Sequence, residues 1–197
     1  MKKYTSSIKS MPFLFLEAKR TALLLVQGRT PDEIIALSET DNIYQLNKEQ
    51  RRRELPQKML ARLATLNQEL IEVIANGNDT DAKLVAFYAM MKADRLLFEY
   101  MAEVVADKFE RGITVLCDRD YIDFIHRKAD SDDTVAKWTD SNLVKIRATI
   151  KSTLISAGLA KKDGADLELL PPSADGDLLR MFHHEDDLYK KAIMLQN

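Results

Sequence analysis

Leu55, Met59, Leu63 and Leu66 recur at intervals of four, four and three residues, which lays one apolar stripe along a helix. The same period returns at Leu143, Ile146, Ile150 and Leu154, and the stretches 11–27 and 84–104 are dense enough in apolar residues for buried helix. One segment departs from this pattern. Between Leu159 and Leu170, Asp163-Gly164 is a two-residue hairpin signal, Leu167 and Leu169 alternate beyond it, and Pro171-Pro172 closes the strand. With 46% hydrophobic and 30% charged residues in 197, and only 6 Gly and 5 Pro, the chain can bury a core and has no room for long structureless stretches. The fold class is therefore mostly α: a helical bundle with helix-turn-helix elements and a C-terminal winged-helix-like unit with one small β-hairpin.

Local signals set the expected boundaries. Gly28 stops the first long helix, and Thr30-Pro31-Asp32-Glu33 opens the next with a cap, a proline at the first helical position and acids at the positive dipole end. That helix runs to Leu37 or Ser38. Asn47 caps a basic helix reaching toward Leu66, with a kink or two abutting helices at Pro56. Helices over 68–76 and 80–110 follow. Asp118 caps a short helix burying Tyr121, Ile122, Phe124 and Ile125, and Asp130–Asp133 opens another with Val135 and Trp138. Thr139 or Ser141 caps a long helix ended by Gly158, and a last helix spans about Leu178 to Leu195. The chain divides into an N-terminal helical domain (1–67), central helices packing against it (68–115) and a winged-helix-like domain (116–197) with its hairpin at about 159–170.

The net charge of −2 argues against a nucleic-acid partner, but its distribution argues for one. Residues 143–162 carry Lys145, Arg147, Lys151, Lys161 and Lys162 with no acid, and residues 48–62 carry Lys48, Arg51, Arg52, Arg53, Lys58 and Arg62 against only Glu49 and Glu54. In a helix-turn-helix the second helix enters the major groove while the first crosses the backbone. Two segments fit that role, 48–66 after 30–38 and about 141–157 after 118–138, with Lys161 and Lys162 placed where a wing meets phosphates. The bland alternative stays open for both. Lysines decorate any solvated helix, Glu49–Arg53 and Glu54–Lys58 are spaced for intrahelical pairs, and winged helices also bind proteins.

No catalytic or metal constellation stands out. His183 and His184 lie beside Glu185, Asp186 and Asp187, but adjacent helical residues point about 100° apart and do not readily chelate one ion. Cys117, the one cysteine, has no evident histidine partner and forms no internal disulfide, which fits a reducing compartment. No phosphate-loop, dinucleotide or nucleophile-elbow motif occurs, so no cofactor is expected. The basic start is followed by an apolar stretch broken by Glu17, Lys19 and Arg20, and no apolar run reaches the roughly 18 residues a membrane span needs, so a cytoplasmic protein is expected.

Several short segments resemble one family. They are Lys3-Tyr4-Thr5-Ser6-Ser7-Ile8, Pro12-Phe13-Leu14 with Glu17, Arg51 to Arg53 leading to Arg62-Leu63, Lys92-Ala93-Asp94-Arg95-Leu96-Leu97, and Val135-Ala136-Lys137-Trp138. Spread over nearly the whole chain, they resemble the BrxA proteins, small components of BREX bacteriophage-exclusion systems. The resemblance implies a helical, non-enzymatic protein that binds double-stranded DNA. Its partners would be other BREX components, including an adenine methyltransferase, an ATPase and a phosphatase-like protein. The family is also similar in shape to the transcription antitermination protein NusB, which keeps RNA as a lesser alternative beside a protein-interaction adaptor. The resemblance supplies no catalytic residues.

Overall fold

A computed structural model describes residues 3–174 and 176–194, apart from the side chain of His184. The protein is mostly helical with one small three-stranded antiparallel sheet, as its periodicity predicts. The chain forms two compact units, Leu14–Ala93 and a second that joins Met1–Phe13 to Asp94–Asn197. Their boundaries differ from those drawn at 67 and 115, because the N-terminal segment packs with the C-terminal half of the chain.

The first unit contains α1 (Phe15–Val26), α2 (Pro31–Thr40), α3 (Glu49–Leu63), α4 (Gln68–Asn76) and α5 (Asp79–Ala93). α1 packs on α4, α2 on α3, and α5 on both α3 and α4. Gly28 ends α1 at φ 85°, and the N–H of Arg29 donates to Leu24 O while that of Gly28 donates to Leu25 O, a Schellman closure. α1 starts later than expected and leaves Leu16 exposed, so it is less buried than its composition suggested. Thr30 and Glu33 form the full capping box at the start of α2.

α3 brings two corrections. Its N-cap is Lys48 rather than Asn47, with no side-chain cap, while in the preceding loop Asn42 Oδ1 accepts from the Leu46 N–H. Nor does Pro56 split α3. A proline at that position removes the donor for the carbonyl four residues back, which is Arg52 O. Here Ser38 of α2, fully buried, donates its hydroxyl to Arg52 O at 2.6 Å.

In the second unit Asp94 breaks the long helix expected over 80–110. Its backbone is extended (φ −125°, ψ 113°) and its buried carboxylate accepts from the Leu97 N–H, restarting the chain as α6 (Arg95–Tyr100). A π-helical turn, Met101–Val105, leads into α7 (Ala106–Glu110). Then come β1 (Val115–Leu116), α8 (Asp118–Ser131), α9 (Asp133–Ala136), α10 (Asp140–Ser156), β2 (Ala160–Asp163), β3 (Asp166–Leu169), α11 (Gly176–Met181) and α12 (Asp187–Ala192). The single helix expected over Leu178 to Leu195 is broken around Phe182–His184, and its Leu195 end lies outside the described residues.

The hairpin forms where expected, but its loop is Gly164-Ala165, because Asp163 pairs with Asp166. Gly164 takes φ 58° while Ala165 keeps a negative φ, the sign pattern of a type II′ turn. The strand order is β1-β3-β2. β1 was not expected from sequence, since two residues carry no readable alternation. The N-terminal 3-10 turn, Ser7–Lys9, packs on α10, with Ile8 1% exposed.

Candidate nucleic-acid interface

α10 is set in place by its inner stripe. Ile146, Ile150 and Leu154 are buried, Leu143 is half-buried, and Thr139 caps the helix by accepting from the Asn142 N–H. Ser141, Val144, Lys145, Ala148 and Ser152 are left exposed on the outside. Arg147 and Lys151, one turn apart, lie on a flank and converge on one carboxylate. Arg147 Nη1 is 3.3 Å from Asp118 Oδ2, and Lys151 Nζ is 3.1 Å from Asp118 Oδ1. Lys151 also donates to Ala165 O at 2.9 Å, tying α10 to the hairpin turn. The acid missing from residues 143–162 is therefore supplied by α8.

The start of α8 is itself anchored. Lys108 Nζ lies 2.5 Å from Asp120 Oδ2 and 2.8 Å from Val115 O, and the Cys117 N–H donates to Asp120 Oδ2 at 2.7 Å. Burial raises the pKa of the Asp120 carboxyl, but the hydrogen bonds from Lys108 and Cys117 outweigh it and hold the group below its ordinary value. Cys117, not Asp118, is the N-cap, which places Asp118 in the first turn of a 14-residue helix.

On the hairpin, Lys161 pairs with its cross-strand neighbour Glu168 at 3.0 Å, and Lys162 is exposed. Lys145 and Lys162 thus face solvent, Lys161 shares its charge, and Arg147 and Lys151 are engaged by Asp118. Lys9, which sequence reasoning passed over, donates to Asn142 Oδ1 at 2.6 Å beside the first turn of α10. Only the packing of the N-terminal segment reveals it.

In the first unit, α2 and α3 pack as a pair, but their cations are largely used within it. Arg53 pairs with Glu49 and lies 3.7 Å from Glu39, and the Arg52 guanidinium donates through Nε to Leu46 O at 3.0 Å. Arg62, a candidate DNA contact from its place in the basic run, is instead only 3% exposed and packs within the unit, out of a duplex's reach. Arg51 and Lys58 are half-buried, and Lys48 is exposed.

α8 and α10 also enclose a shallow apolar groove of about 250 Å³, lined by Tyr121, Ile122, Ile125, Leu143, Val144 and Arg147. Ile122, expected inside, is 36% exposed, and Val144 is 54% exposed. Among the described residues no three His, Cys, Asp or Glu side chains group as a metal site, and no helix is long and apolar enough to cross a membrane.

Comparison with known proteins places this architecture. A family described as BrxA matches residues 2–186. A "BREX protein BrxA" from Bacillus cereus is 36% identical over 176 residues, covering 89% of this chain and 88% of the relative. Another from Paramagnetospirillum magneticum is 22% identical over 187 residues, covering 95% and 94%. A crystal structure of an uncharacterized protein from Magnetospirillum magneticum has the same fold, with a TM-score of 0.82 at 22% identity over 99% of this chain and 100% of that one. A family match over nearly the whole length and a relative well above 30% identity agree, and the chain belongs to the BrxA family.

Proposed function

We propose that this chain is a non-catalytic, double-stranded DNA-binding component of a BREX-type phage-defence system. It holds the duplex mainly through phosphate contacts, with weak sequence preference. The observation that carries the reading is the order of the second unit: helix, β1, α8, α9, α10 and the β2–β3 hairpin, with the strands arranged β1-β3-β2. That is a winged-helix order, with α10 as the helix that enters a groove and the hairpin as the wing, and Lys145, Lys161 and Lys162 point outward from those two elements. Membership of the BrxA family, whose relatives carry the name BREX, supplies the biological setting. The α2–α3 pair of the first unit is a weaker second surface, since Arg53 is balanced by carboxylates and Arg62 is buried.

The test is a salt titration of binding to an unrelated duplex of about 30 base pairs, with Lys145→Ala/Lys161→Ala/Lys162→Ala beside wild type. Each lost phosphate contact flattens the log–log slope by roughly 0.9, so the triple variant should lose about two to three units. A wild type that shows no salt-dependent binding overturns the reading. A second reading, an adaptor that docks partner subunits, is favoured by the exposed Val144 and Ile122 beside the α8–α10 groove. Co-purification with partners after nuclease treatment, without DNA affinity, would select it.

A further inference from the structure

Among the described residues, Asp118 is the carboxylate that ion-pairs with both Arg147 and Lys151 of α10. Arg147 and Lys151 present two oxyanion-seeking groups to a single carboxylate at 3.3 and 3.1 Å, the geometry with which paired cations hold a phosphate. The site is neither buried nor fully open. The side chains of Arg147 and Lys151 are about one-quarter exposed, and that of Asp118 is 48% exposed. Asp118 also lies in the first turn of α8, where the helix dipole stabilises a carboxylate without any cation beside it. Lys151 keeps a second anchor on Ala165 O and so stays pointed at the site when Asp118 leaves. We infer that Asp118 is an internal stand-in for a DNA phosphate, holding Arg147 and Lys151 in reserve until a duplex backbone displaces it. Built on the DNA-binding reading above, this makes Asp118 a negative determinant of affinity rather than a contact residue.

The experiment is the salt titration on a duplex of about 30 base pairs, repeated with Asp118→Asn in the full chain, with thermal unfolding as the control for folding. Asp118→Asn keeps the side-chain shape and removes the charge. Binding should tighten roughly five- to tenfold at low salt, as two ion pairs no longer need breaking. The salt slope should stay within about one unit of wild type, since Arg147 and Lys151 reach phosphates in both complexes once Asp118 is displaced. If the wild type binds with salt dependence and Asp118→Asn leaves affinity unchanged or weaker, Asp118 is a structural tie and the inference is overturned while DNA binding stands. If neither protein binds duplex, the DNA-binding reading itself has failed. Should Asp118→Asn not fold, Arg147→Gln/Lys151→Gln carries the test. A slope flattened by about two units supports the reserve cations, and an unchanged slope overturns them.

Discussion

Glu99 shows how a charged residue holds the N-terminal segment in its unit. Tyr4 Oη donates to Glu99 Oε2 at 2.5 Å, Arg95 Nε donates to Oε1 at 2.7 Å, and Lys128 Nζ lies 2.6 Å from Oε2. The Arg95 guanidinium stacks on the Tyr4 ring at 3.8 Å, so two of the segments that carry the family resemblance meet here. Burial pushes the Glu99 carboxyl up, but the hydrogen bonds from Lys128, Tyr4 and Arg95 outweigh it and hold the group below its ordinary value of 4.5. A depressed carboxylate stabilises the fold fully above its unfolded pKa and loses that contribution as pH falls through the folded one. Thermal stability should therefore decline as the solution is acidified below about 4.5. Glu99→Gln should cost about 2 kcal/mol at neutral pH and make the acid decline shallower. Unfolding curves for both proteins between neutral pH and pH about 3 check it. An acid limb identical to wild type would show that the network adds nothing.

At the scale of elements, α2 and α3 are coupled through one proline. Pro56 cannot donate to Arg52 O, and a buried carbonyl without a partner is costly, yet α3 runs unbroken because Ser38 supplies the hydrogen bond from the neighbouring helix. Ser38→Ala should cost about 2 kcal/mol by leaving that carbonyl unsatisfied. Pro56→Ala restores a main-chain N–H in register with Arg52 O, so in that background the same Ser38→Ala change should cost less than half as much. A double-mutant cycle by urea unfolding reads the coupling, and simple additivity would refute it. This pair also marks where the sequence stops being legible. Capping signals at Thr30 and Gly28 act within a few residues and were readable. The donor to Arg52 O lies 14 residues away on another helix, so the sequence offered only a kink or a break at Pro56. Asp118 is the same case. Its spacing marks a helix start, but nothing local says that it faces Arg147 and Lys151, 29 and 33 positions on.

For the whole molecule, the order in which residues are joined differs from the order in which they cooperate. Apolar period and hairpin chemistry located most of α10, β2 and β3, because those signals repeat over neighbouring residues. Consecutive blocks of sequence could not reveal that Tyr4, Ile8, Met11 and Phe13 are buried in company with Asp94–Asn197, since apolar residues scattered at such irregular spacing have no readable partner. Ile8 is 1% exposed and its 3-10 turn packs against α10. Ile8→Ala should destabilise the protein by about 2–4 kcal/mol through lost burial and the cavity left behind. If the two units are cooperative bodies, that loss is not shared evenly. Amide hydrogen exchange should quicken through α8, α10 and the sheet while amides of α2, α3 and α4 keep wild-type protection. The same variant should then weaken duplex binding, since the helix proposed to enter the groove is the one that loses its support. Equal loss of protection from Leu14 to Ala93 would mean that the chain unfolds as one body. In that case a residue near the N-terminus tunes α10 only through global stability.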